Sequence, residues 1–177
     1  MHVLRQLTLA CGLALFASDA SAQRGKVGPR VGAPAPEIDL PTVAGGRTKL
    51  SLLRGHPVVL SYWATWCPSC RSELSELANA LLLLGEKGLR VISVNNLDQE
   101  GPDRKKNIKK VKEFVDHLSL PFDVALDQRG KVGNAYAILA LPMTVFIDSA
   151  GIVTQVHMGS ISRAELDRGI ATIFPPR

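Results

Sequence analysis

Apolar and polar positions alternate along this chain with two different periods, and the switches between them mark the elements. Positions 57–63 are almost continuously apolar and end in Tyr62 and Trp63, the pattern of a strand covered on both faces in the middle of a sheet. From 68 to 85 the period changes. Leu74, Leu77, Leu81 and Leu84 return every three or four residues, which predicts an amphipathic helix that Gly85 can close. Positions 90–95 read as the next strand, 97–103 as a polar irregular stretch, and 104–118 as a second helix with Ile108, Val111, Val115 and Leu118 on one face. A strand at 122–126 and a short helical segment at 130–137 follow. Two strands, 144–148 and 152–157, flank the hairpin signal Ser149-Ala150-Gly151, and 163–173 is a closing helix. Nearer the N-terminus, 38–40 and 48–50 are short strand candidates around Ala44-Gly45-Gly46, and 51–55 is a single helical turn stopped by glycine. Strands that alternate with helices imply parallel pairing under helical cover, and the last hairpin adds antiparallel strands. The expected class is α/β, with a mixed central sheet flanked by helices.

The first residues follow another logic. His2 and Arg5 precede an apolar run over 7–17, and Ala20-Ser21-Ala22 supplies the small residues that a signal peptidase accepts. Residues 1–22 therefore read as a cleavable secretory signal. The apolar run is shorter than the roughly 20 residues of a spanning helix, which argues against a permanent anchor. Lipid attachment at Cys11, after Leu9-Ala10, is a further reading of the same segment. Residues 23–36, with Gly25, Gly28, Pro29, Gly32, Pro34 and Pro36, read as a linker, and 37–174 as the folded domain.

Composition narrows the classes. At 177 residues the chain suits one domain, and 46% hydrophobic with 21% charged residues excludes disorder over most of it. The formal net charge of +5 comes with no nucleic-acid reading motif, so no nucleic-acid partner is expected. The basic run Arg104-Lys105-Lys106 with Lys109, Lys110 and Lys112 reads as the solvated face of its helix.

Export changes the meaning of the cysteines. With Cys11 gone, Cys67 and Cys70 remain. A bridge across two intervening residues closes almost no chain and removes little entropy from the unfolded state, so this pair is poorly suited to be a staple. It lies where the apolar strand runs into the leucine helix. There the helix dipole and the unpaired N–H groups favour a thiolate at Cys67, and Cys70 sits one turn further in. A thiolate attacks a disulfide, and a neighbouring thiol then displaces it. Other uses of the spacing fit less well. A zinc site needs a second ligand pair, whereas His56, His117 and His157 are scattered. A c-type haem site needs histidine where Arg71 stands. Copper-delivery proteins of the Sco kind separate their cysteines by three residues. No metal site is expected. Trp63 suits core packing, and Trp66, next to the nucleophile, suits a wall of the site.

The run Trp63-Ala64-Thr65-Trp66-Cys67-Pro68-Ser69-Cys70-Arg71, taken with Ala140-Leu141-Pro142-Met143-Thr144-Val145-Phe146-Ile147-Asp148, resembles the TlpA/ResA/CcmG-like branch of the thioredoxin superfamily. Val31-Gly32-Ala33-Pro34-Ala35-Pro36 upstream and Gly159 with the last helix extend the resemblance over about residues 31–174. It implies a thioredoxin-like fold with an N-terminal strand extension and a helical insertion near 97–118. It also implies a periplasmic or otherwise extracytoplasmic thiol–disulfide oxidoreductase that binds no soluble redox cofactor. Its clients would be proteins with disulfides or CxxC thiols, as in cytochrome c maturation, and a membrane thiol-reductant would supply electrons to what is expected to be a monomer.

The resemblance assigns roles. Pro142 matches the family's cis-proline, which presents the backbone of Leu141 to an extended client. Met143-Thr144 stands where Thr-Thr is more usual. Glu73, three residues after Cys70 and on nearly the same face, matches a glutamate that influences cysteine reactivity in ResA-like members; its plain alternative is an acid stabilising the helix start. Classical thioredoxin buries an aspartate six residues before the first cysteine, where this chain has Ser61, and the difference favours Glu73 as the local acid–base group. The expected site is thus Cys67, Cys70 and Glu73 for chemistry, with Trp66, Leu141 and Pro142 for client binding. Two other classes stay open. One is a metal-binding or chaperone module on the same scaffold. The other is a thiol peroxidase, although the proline of a PxxxTxxC arrangement is absent ahead of Cys67.

Overall fold

The computed structural model describes residues 28–174, and the signal-like segment 1–22 with Cys11 lies outside them. Every residue of β3 (Val58–Trp63) is buried, as its apolar run requires. Its side chains alternate between two cores. Val58, Leu60 and Tyr62 join Ile92, Val94, Val145 and Ile147 on one face of the sheet, while Val59 packs with Leu77, Ala80 and Phe146 on the other. β3 pairs in parallel with β4 (Arg90–Asn95) and antiparallel with β6 (Met143–Ile147). Beyond them lie β5 (Val124–Leu126) and β7 (Val153–Met158), giving the order β5-β4-β3-β6-β7 in a mixed five-stranded sheet. The central position of β3 follows from its lack of any polar face.

The helices cover both faces. α1 (Pro68–Leu84) turns Cys70, Glu73, Leu74, Leu77 and Ala80 inwards, one stripe at helical spacing. α2 (Arg104–Leu118) starts where the Asp103 side chain accepts the Lys106 N–H, and buries Val111, with Ile108, Val115 and Leu118 partly covered. α3 (Lys131–Ala135) is short, and α4 (Arg163–Ile173) opens on a capping box between Ser162 and Glu165. On the outer surface of α2, Lys109–Glu113 and Lys112–Asp116 pair at one-turn spacing, the solvated face read from the sequence.

A small antiparallel pair, β1 (Asp39–Pro41) with β2 (Arg47–Lys49), precedes the sheet and leads into a turn of 3₁₀ helix at Leu50–Leu53. The N-terminal segment spans the sheet. Pro34 bridges to Ile152 beside β7, and the Val43 N–H reaches the Val124 carbonyl on β5 at 2.8 Å. Both edges of the sheet thereby gain backbone partners, which blunts edge-to-edge association. This changes the reading of 23–36 as linker. Gly32 and Ala35 donate to Val153 and Gly151, Ala35 is buried, and the Tyr136 hydroxyl donates to the Pro36 carbonyl. Over residues 32–36 glycine and proline serve a packed extended strap, so the folded unit begins before residue 37.

Gly85 closes α1 as expected, its N–H bonded to the Leu81 carbonyl, but its backbone stays right-handed; Gly88, at φ +100°, makes the left-handed turn before β4. In α4 a glycine is required by contact, because a Cβ on Gly169 would overlap the Phe146 ring. Gly169→Ala is expected to destabilise the fold by about 1–3 kcal/mol through overpacking, measurable as a lower urea midpoint.

Candidate active site

The topology delivers the site. β3 ends at Trp63, a four-residue loop turns, and α1 begins with Cys67 as its N-cap. Cys67 and Cys70 are joined by a disulfide across that first turn, with Cα atoms 5.3 Å apart. The Cys67 sulfur accepts the Cys70 backbone N–H at 3.3 Å. Pro68 follows at the first helical position, where its missing N–H costs the helix nothing. Cys70 has no exposed surface while Cys67 retains 5%, so of the two sulfurs Cys67 is the more accessible. A helix N-terminus places partial positive charge beside Cys67, and in the reduced protein that favours thiolate.

Behind the pair sits Glu73, buried on the inward stripe of α1. Its Oε1 accepts bonds from the Ser61 hydroxyl at 2.6 Å and the Thr144 hydroxyl at 2.9 Å, whereas Oε2 has no partner among the described residues. Burial pushes its carboxyl above the ordinary glutamate range, and those two bonds and the nearby His157 oppose the rise only in part. Oε2 is therefore a place to hold a proton. Ser61 and Thr144 are adjacent across β3 and β6, and His157 faces Thr144 across β7. In the sequence Ser61 is marked only as standing where classical thioredoxin has its aspartate; in the fold it is a partner of Glu73. Its signal, and that of Thr144, is a hydroxyl inside a strand with no exposed face.

Next to Cys67, Trp66 lines a cleft of about 330 Å³ together with Leu139, Leu141, Tyr62 and Asp98 among others. Trp66 is 55% exposed and Leu139 85%, large apolar surfaces on the cleft wall, and the Trp66 indole donates to the Gln99 carbonyl at 3.1 Å. The Leu141–Pro142 bond is cis. Since Met143 pairs with Tyr62, the residues just before it lie alongside the end of β3, and Leu141 packs against the cluster that holds Trp63, Cys67 and Cys70. Trp63 itself is core, bonded through its indole to Ser93 and stacked on Phe114. Tyr62 donates to Asp127, and burial, with that carboxylate, pushes its hydroxyl pKa far up.

Glu100 was not foreseen. It follows the 3₁₀ turn Leu97–Gln99, and its buried carboxylate accepts from Thr65, Asn95 and Lys110. Burial alone would raise this carboxyl, but the Asn95, Thr65 and Lys110 bonds outweigh it and hold it below the usual range. Among the described residues no three His, Cys, Asp or Glu side chains gather as a metal-ligand set.

A mixed sheet with a CxxC disulfide at the junction of its central strand and first long helix, and a cis-proline just ahead of the neighbouring strand β6, defines a thioredoxin-fold thiol–disulfide oxidoreductase. The matching family model is that of the AhpC/TSA family, over residues 31–156, and the chain belongs to that family. It is 30% identical over 143 residues to the thioredoxin-like protein YneN of Bacillus subtilis, covering 81% of this chain and 80% of that one. It is also 30% identical to the thiol-disulfide oxidoreductase ResA of Bacillus thuringiensis, covering 82% of this chain and 79% of that one. Among solved structures, a candidate DsbE thiol:disulfide interchange protein of Chlorobium tepidum superposes with a TM-score of 0.71 at 28% identity, covering 81% of this chain and 96% of the other. The chain is thus a ResA- and DsbE-type enzyme acting on disulfide-bearing client proteins.

Proposed function

We propose that the protein reduces client disulfides, with Cys67 attacking and Cys70 resolving. The observation that carries this reading is the Cys67–Cys70 pair across the first turn of α1, with only Cys67 of the two reaching the surface, next to Trp66 on the wall of the cleft. In the reduced protein the Cys67 thiolate attacks one client sulfur. A mixed disulfide forms, and the second client sulfur leaves as a thiolate that takes up a proton. Cys70 gives up its proton, attacks the Cys67 sulfur and releases the first client sulfur, also as a thiol after protonation. Two electrons have then passed to the client, and the protein is left as the Cys67–Cys70 disulfide.

Glu73 is the proposed acceptor of the Cys70 proton, supported by its place on the same buried stripe and by the free Oε2. Leu141 and Pro142 would align the client backbone, and Trp66 would cover it. Return to the dithiol needs a dithiol donor, which we assign to a membrane-bound thiol-reductant. The signal-like character of residues 1–22 supports work outside the cytoplasm, with protein CxxC pairs such as those of c-type cytochromes as clients.

Direction is tested by equilibrating the protein with a glutathione buffer and reading the Cys67–Cys70 couple. A reductant requires a potential below the roughly −180 mV of protein disulfide isomerase. A value near the roughly −120 mV of DsbA would make the protein an oxidant instead. Client contact is tested separately by Trp66→Ala. Loss of an exposed aromatic anchor is expected to cost about 1–2 kcal/mol of client binding, read as a higher KM with kcat nearly unchanged.

A further inference from the structure

Glu100 is a buried carboxylate that the reaction above does not use. Its side chain has no exposed surface. Burying a charge is costly unless it is paired and hydrogen-bonded, so the identity of its partners is informative. The Thr65 N–H donates to Oε1 at 2.6 Å and the Thr65 hydroxyl to Oε2. Asn95, at the end of β4, donates to Oε1 at 2.9 Å, and Lys110 of α2 donates to Oε2 at 2.9 Å. The preceding residue adds a fifth bond, because the Gln99 carbonyl accepts the Trp66 indole N–H. Two successive residues of the turn therefore grip two successive residues of the loop that ends at Cys67. Gly101 extends the tie, since its carbonyl accepts the Asn107 side chain of α2 at 2.7 Å.

We propose that Glu100 is a positioning residue that clamps Thr65 and Trp66, fixing how Cys67 and the Trp66 wall face the client, with Lys110 anchoring the clamp to the inserted helix. This rests on the disulfide-reductase reading. Thr65 is the sole residue of the loop that gives Glu100 both a backbone and a side-chain donor, and it lies two positions before the attacking sulfur. Charge-assisted bonds from a buried carboxylate are the strong, short kind suited to holding a loop in one geometry. The inserted helix thereby acquires a mechanical task at the site.

The test compares Glu100→Ala, Glu100→Gln and Lys110→Met with the wild type in two assays. One is hydrogen exchange at the Thr65 amide and the Trp66 indole N–H, and the other is insulin reduction. Glu100→Ala is expected to raise exchange at both groups and to lower kcat/KM about tenfold, since small misplacement of a reacting group carries penalties of that order or more. Glu100→Gln keeps an oxygen for the Thr65 and Asn95 donors, so it is expected to restore most of the protection and most of the rate. Lys110→Met leaves the Thr65 bonds in place and should give an intermediate result. If Glu100→Ala does not fold, the Gln and Met variants still decide the matter. Exchange and rate in Glu100→Ala equal to wild type, or in Glu100→Gln as damaged as an unfolded loop, would overturn the clamp. Wild type that fails to reduce insulin or any other disulfide would count against the reductase reading, while the exchange data would still judge the clamp.

Discussion

Cys67→Ser is expected to leave insulin reduction at the uncatalysed rate, a loss of at least roughly a thousandfold, as removal of a covalent nucleophile produces in other enzymes. Cys70→Ser is expected to fail differently. Its Cys67 still attacks, but no second thiol displaces the client, so one equivalent of mixed disulfide accumulates and resists turnover. Gel separation under non-reducing conditions distinguishes the two outcomes. The asymmetry follows from position, because Cys67 caps α1 at the surface and Cys70 lies wholly beneath it. Equal trapping by the two variants would mean that either sulfur can attack. Full insulin reduction by Cys67→Ser would mean that Cys67 is not the attacking sulfur.

The second large effect concerns Glu73. Burial raises its carboxyl above the ordinary value of 4.5. In the window from 4.5 up to that raised value, the folded protein holds a proton that the unfolded chain has lost. The unfolded state therefore binds fewer protons, and stability falls as pH rises through the window. Below 4.5 both states are protonated and the group contributes no slope. Glu73→Gln removes this titration, so its stability relative to wild type is expected to improve steadily as pH rises, as read from urea unfolding across a pH series. The same substitution should slow the resolving step, about a hundredfold if Glu73 acts as a general base. A variant that resolves mixed disulfide at the wild-type rate at every pH would reduce Glu73 to a structural acid.

Much of this was written in local pattern. The strand at 90–95 and the helices at 104–118 and 163–173 match β4, α2 and α4 residue for residue. They are legible because hydrophobic pattern alone separates them from their flanks; the structure adds that Asp103 caps α2 and that Ser162 with Glu165 forms the capping box of α4. The cysteine pair was legible for a similar reason, since a strand-to-helix junction is a local feature. What local pattern did not carry was contact between distant segments. The proline- and glycine-rich residues 32–36 look like a linker until Val153 and Tyr136 are brought against them. Glu100 sits in a polar stretch without periodicity, and its meaning comes from Thr65, thirty-five residues earlier. Ser61 and Thr144 acquire theirs from Glu73, which reaches both across the sheet.

The proposed reaction depends on Cys67 ionising readily at the start of α1 once the disulfide is opened. The direct measurement is the rate of Cys67 alkylation by iodoacetamide in the reduced protein, followed against pH. A rise is expected whose midpoint falls below the value of about 8.5 for a free cysteine, with Cys70 protected throughout. A midpoint at or above that value, with the two thiols equally sluggish near neutral pH, would contradict it.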